Sequence, residues 1–214
     1  CSTITGDGKV TYNRGMSTNT PARSYVYFLA VVFEGGLVLL WVVVGQWLDM
    51  PLSEQGQPTV KAFVMGAAAT LPLLPLMFAV SRSSYPPLRR MMVEVDEVLV
   101  PFLSRLRSAD FAVVAILAGF GEEGLFRGLL QGWLAENLSP AAGLLAASTL
   151  FGLLHFVTPA YAIIAGLLVL YLGILYLATG NLVVPIVVHA LYDFLALLYL
   201  VRWRKERGRS SGQT

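Results

Sequence analysis

The chain has 214 residues, of which 56% are hydrophobic and 13% charged, with a mean hydropathy of +0.68. Soluble domains carry about 25% charged residues, so this composition belongs to the membrane class. A net charge of +2 gives no footprint for nucleic acid, and a lone cysteine, Cys1, cannot form an internal disulfide.

In chain order, residues 1–22 are rich in Gly, Ser, Thr, Asn and charges and read as a polar, poorly ordered lead-in. Six apolar segments follow, each near the ~20 residues a bilayer core requires. They run Tyr25–Leu48, Val60–Val80 (kinked by Pro72 and Pro75), Phe111–Leu134, Ala141–Val157, Tyr161–Ala178 and Leu182–Val201. The punctuation between them is short: "MPLSEQGQP", "NLSP", "TP" and "TGN". Residues 85–108 mix charges with apolar pairs, the pattern of an amphipathic segment lying at the membrane interface. The expected fold is all-α: a polytopic bundle of about six transmembrane helices, with an interfacial helix before the third.

Six spans place both termini and the second–third and fourth–fifth connections on one side. Thirteen of the 15 Lys and Arg fall there, from Lys9 to Arg209, whereas Lys61 lies opposite and Arg127 lies inside a span. Basic loops stay cytoplasmic, so both termini are expected in the cytoplasm. The division expected is a lead-in over 1–22, a membrane-embedded domain over 23–203 with its motif core at 108–200, and a basic cytoplasmic tail over 204–214. That tail suits anionic headgroups, making membrane lipids a partner, and nucleic acid is not one.

The third segment contains "AGFGEEGLFRGLL", residues 118–130, with Glu122, Glu123 and Arg127 in an apolar setting. A charge at a helix centre costs about 2.5–3.5 kcal/mol on insertion scales, so such groups face the bundle interior. Glu123 and Arg127 are four apart and share a face, where they can neutralise each other. Glu122 points about 100° away from Glu123 and has no evident partner. The chain's two histidines, His155 and His189, also fall within spans, and Asp193 shares a face with His189. Either histidine alone would serve as an interhelical hydrogen bonder. Three such groups on three spans instead suggest one wet cavity. There Glu122 with His155 could activate water, and His189 could donate to an oxyanion. No H-E-x-x-H or G-x-S-x-G appears, and a zinc site from His155, His189 and a carboxylate is chemically possible though not required by the spacing. In upright helices His155 and His189 would differ in depth by about 10 Å or more.

"EEGLFR" (122–127), "FGLLH" (151–155) and "HALYD" (189–193) match E-E-x-x-x-R, F-x-x-x-H and H-x-x-x-[N/D] in that order. The chain thereby resembles the CPBP family, also called Abi: the CAAX prenyl proteases and bacteriocin-processing enzymes. The resemblance implies an intramembrane endopeptidase in which Glu122 and His155 activate water and His189 with Asp193 forms the oxyanion site. Glu123, Arg127 and Phe151 would support that geometry, and no metal cofactor is implied for the prenyl-protease branch. Eukaryotic members carry Asn at the position of Asp193, and an ionised Asp cannot donate as Asn does. The substrate implied is a membrane-associated peptide or protein: a prenylated CAAX peptide, a leader peptide or a bacteriocin precursor. The compact loops suit a prokaryotic cytoplasmic membrane. The alternatives are a non-catalytic scaffold or bacteriocin-immunity protein using the same cavity, and a small transporter with a proton relay.

Overall fold

A computed structural model describes residues 22–201 in full, the backbone of 202–210, and two short strands. The strands, β1 (Thr3–Ile4) and β2 (Val10–Thr11), form a small antiparallel ladder. The rest of the expected lead-in lies outside the described residues, as do the last four residues of the tail. The other regular elements among the described residues are helical: α1 (Arg23–Trp47), α2 (Leu52–Gln55), α3 (Val60–Thr70), α4 (Leu73–Ser81), α5 (Pro86–Glu94), a π-helical segment π1 (Val95–Leu99), α6 (Val100–Leu103), α7 (Ser108–Glu123), a second π-helical segment π2 (Gly124–Gln131), α8 (Gly132–Asn137), α9 (Pro140–Leu154), α10 (Pro159–Thr179) and α11 (Val183–Ser210).

The short connectors start the helices they precede. Ser139 accepts a hydrogen bond from the Ala142 amide at 3.1 Å and Thr158 one from Tyr161 at 3.1 Å, each followed by a proline in the first turn. Thr59 caps α3 through Ala62 in the same way at 3.2 Å. Proline also explains two interruptions. Pro72 lacks an N–H, so the second apolar segment, one membrane-length stretch over Val60–Ser81, is kinked at Leu71 and Pro72, where α3 gives way to α4. Pro101 cannot donate to the carbonyl four residues back, and the wide turn of π1 lies just before it.

Among the described residues, four stretches are long and apolar enough to cross a membrane: Arg23–Trp47, Val60–Ser81, Pro159–Thr179 and Val183–Val201. The shorter apolar α9 and the charged run α7–π2–α8 complete the bundle. Large apolar side chains point outward, with Phe28, Phe33, Leu39 and Ile163 all more than 60% exposed. Faces of that kind are covered by lipid, so this is a multi-pass integral membrane protein. As expected, the stretch before α7 is amphipathic: α5 buries Met91 and exposes Arg89 and Arg90.

α7 is the central element. It packs on α11 at Gly119, where a Cβ would meet the Ile186 carbonyl at 3.0 Å and the Ala190 Cβ at 3.2 Å. On its other side Gly121 lies against α1, and Gly124 begins π2 directly beneath the Trp41 ring. Trp41 is fully buried, packs with Leu129, Leu182 and Ile186, and donates to Gln55 at 3.1 Å. The ring therefore has nowhere to go. Gly124→Ala is expected to destabilise the protein by about 1–3 kcal/mol, the cost of overpacking, read as a lower melting temperature in detergent.

Candidate active site

The bundle brings together side chains from α7, α9 and α11 that lie far apart in sequence. At the end of α7, Glu123 is fully buried. Its Oε1 accepts from His189 Nδ1 at 2.6 Å, and its Oε2 lies 3.1 Å from Arg127 Nε. The Glu123–Arg127 pair read from the spacing is therefore present, and His189 is an additional partner that the spacing did not show. Arg127, also fully buried, donates through Nη2 to the Val169 carbonyl of α10 at 3.0 Å and lies 5.6 Å from the Phe151 ring centre. Four residues further on, Gln131 repeats the pattern, donating to the Gly173 carbonyl at 3.2 Å. The widened turn of π2 begins immediately after the glutamate pair and carries both Arg127 and Gln131 inward. A π-helical turn at such a place often marks a functional site.

Glu122 projects the other way. Its Oε2 is 3.9 Å from His155 Nε2 and 3.7 Å from His189 Nε2. Asp193 Oδ2 lies 3.3 Å from the same His189 nitrogen. The expected separation in depth between the two histidines is absent. α9 has only 15 residues, so its end at Leu154 leaves His155 within the bundle, level with Glu122. At 1.5 Å per residue such a helix spans about 22 Å, short of the ~30 Å hydrocarbon core.

His155 is held in one orientation. Its ring stacks on Phe151 with centres 4.0 Å apart, and Nδ1 is 3.0 Å from the Phe151 carbonyl. A carbonyl only accepts, so Nδ1 carries the hydrogen, and Nε2 is left as the lone-pair nitrogen facing Glu122. Phe126 braces Phe151 edge-on at 4.9 Å.

These groups end a cavity of about 290 Å³. Its walls are apolar, with Leu73, Met77, Met91, Leu168, Leu172 and Leu200 among them, while Glu122, His155, His189 and Asp193 supply the polar end. Among the described residues no three His, Cys, Asp or Glu side chains are grouped to hold a metal ion.

One acidic residue escaped the reading of the motifs. Glu34, the carboxylate of α1, is half-buried, and its Oε2 is enclosed without a hydrogen-bond partner among the described residues. A single acid in the middle of a 25-residue apolar helix was the available signal.

Fold and site define a polytopic membrane helix bundle with two histidines and two carboxylates around a lipid-level cavity. Residues 105–195 match the family model of type II CAAX prenyl endopeptidases, Rce1-like. All three motifs lie within this matched segment. No curated protein and no solved structure matches the chain.

Arg127 is the testable support of this arrangement. Arg127→Met leaves Glu123 buried without its guanidinium and is expected to cost about 3–5 kcal/mol, seen as loss of folded protein after detergent extraction. Arg127→Lys, which keeps the charge without the fork that reaches Val169, is expected to recover only part of that loss.

Proposed function

We propose that the protein is an intramembrane endopeptidase that hydrolyses a peptide bond of a membrane-associated peptide or protein, with Glu122 and His155 activating water. The observation that carries this reading is the pair of separations at Glu122. At 3.7 and 3.9 Å, both imidazole Nε2 atoms stand too far for a direct hydrogen bond. All three groups line the cavity, where a water molecule can rest beside them and hydrogen-bond to the carboxylate and a ring from the cavity side.

In the forward step, Glu122 takes a proton from that water while its oxygen attacks the carbonyl carbon of the substrate. His155 Nε2 accepts the water's second hydrogen and orients it. The resulting oxyanion receives a hydrogen bond from His189, a type of interaction worth about 3–4 kcal/mol. Asp193 then acts by orienting the His189 ring rather than by donating. The C–N bond breaks as Glu122 returns its proton to the leaving nitrogen, and the carboxylate is regenerated. Glu123, Arg127 and Phe151 hold the reacting groups in place.

The role requires no metal. His189 directs one ring nitrogen at Glu123 and the other toward Asp193 and Glu122, so the ring serves as a donor between carboxylates. The apolar cavity beside the site suits a substrate presented with a lipid-like or apolar portion at membrane depth. Cytoplasmic placement of both termini, from the basic-residue bias, would set the basic tail over 204–214 against the headgroups.

The test is cleavage of a pooled membrane-peptide library by the purified protein, with and without a chelator, beside His155→Ala. Cleavage that survives chelation and falls by about 10²–10⁴-fold in the variant is the expected outcome. Loss on chelation would replace the water-activating carboxylate with a bound metal. No cleavage by the unaltered protein would favour a peptide-binding scaffold.

A further inference from the structure

Glu34 is unused by this mechanism, yet its position is tightly fixed. α1 and α7 run side by side in matching register. At one end Arg23 forms a two-pronged bridge to Asp110, with Nε at 2.8 Å and Nη2 at 2.6 Å. Eleven residues further along each helix, Glu34 meets Gly121, the residue before Glu122. A Cβ on Gly121 would lie 3.1 Å from the Glu34 carbonyl oxygen and 2.8 Å from the Leu37 Cβ, so glycine is what lets α1 come this close. Beyond it, Trp41 sits on Gly124. Three contacts along the two helices therefore hold Glu34 at the depth of Glu122.

At that depth the side chain is half-buried, and its enclosed Oε2 has no hydrogen-bond partner among the described residues. The charged and titratable groups around this region are Glu122 and Glu123 from α7, Arg127 from π2, His155 at the end of α9, Tyr161 from α10, and His189, Tyr192 and Asp193 from α11. Glu34 interacts electrostatically with His189 and Asp193, and Glu122 feels it in turn. Four carboxylates thus share a site with one guanidinium and two imidazoles. A carboxylate in a membrane helix is costly, and a leucine here would insert without that cost.

We propose that Glu34 is a positioning residue of the site, acting through His189 from the α1 side so that the ring stays a hydrogen-bond donor toward the reacting carbonyl. Its carboxylate adds to those of Glu123 and Asp193 around the imidazole, whose N–H groups they keep directed as donors. It does not touch the reacting atoms. This role rests on the endopeptidase reading, and the experiment separates the two.

The chain contains only two histidines, so ¹⁵N-histidine labelling reports two rings, and a His155→Ala sample assigns them. The experiment compares the full-length protein with Glu34→Gln and Glu34→Asp in nanodiscs. In Glu34→Gln the titration midpoint of His189 is expected to move by about half a unit or more, with a smaller movement at His155. With the substrate found in the library screen, kcat is expected to fall by about tenfold while KM stays within about twofold. Glu34→Asp is expected to restore most of both, and the melting temperature of Glu34→Gln, which is the same size, to stay near that of the parent. Unmoved His189 signals would overturn the assignment whether or not the protein cleaves. A raised KM with kcat intact would also overturn it, because that is the signature of a substrate contact. A moved His189 in a protein that cleaves nothing would uphold the coupling and overturn the endopeptidase reading.

Discussion

Everything at the centre of this protein depends on burying Glu123. The carboxylate is fully enclosed at membrane depth, and it is tolerable there because each oxygen meets a partner: His189 on one, Arg127 close to the other. Arg127 is in turn tied to the backbone of α10. One acidic side chain therefore joins α7, π2, α10 and α11. Breaking such an arrangement on one side exposes the rest to the full cost of an uncompensated charge, which makes it all-or-none. The same contacts fix His189, because its Nδ1 is committed to Glu123 and its Nε2 must then face the cavity.

The adjacent glutamates face two ways because neighbouring helical positions point about 100° apart. Glu123 turns toward the protein, hydrogen-bonded to His189 through one oxygen and ion-paired with Arg127 at the other. Glu122 turns toward the cavity, its ring partners stand beyond direct hydrogen-bond distance, and it is open to water from the cavity side. A site built from groups on three helices needs those helices close together, and the glycines along α7 supply that on both of its flanks. The catalytic proposal and the packing of α1, α7 and α11 are thus one account.

Much of this was legible in the sequence. The apolar segments, the short punctuation between them and the inward charges follow from rules of insertion and turn chemistry that operate within a few residues. Spacing alone also showed that Glu123 and Arg127 share a face. What stayed hidden depends on how one helix sits against another. The shortness of α9 brings His155 level with Glu122, although periodicity suggested a helix reaching Val157. The π-helical run after Glu123 has no proline to announce it. Glu34 was passed over because it belongs to no motif, and its relation to His189 becomes visible only once α1 is docked in register on α7.

The central claim is that two neighbouring carboxylates of identical chemistry do opposite work, Glu122 in reaction and Glu123 in assembly. The most direct measurement is melting temperature and peptide cleavage determined side by side for Glu122→Gln and Glu123→Gln. The account predicts that Glu122→Gln melts with the parent and cleaves nothing, whereas Glu123→Gln melts well below it. A Glu122→Gln protein that cleaves at the parent rate, or a Glu123→Gln protein as stable as the parent, would contradict it.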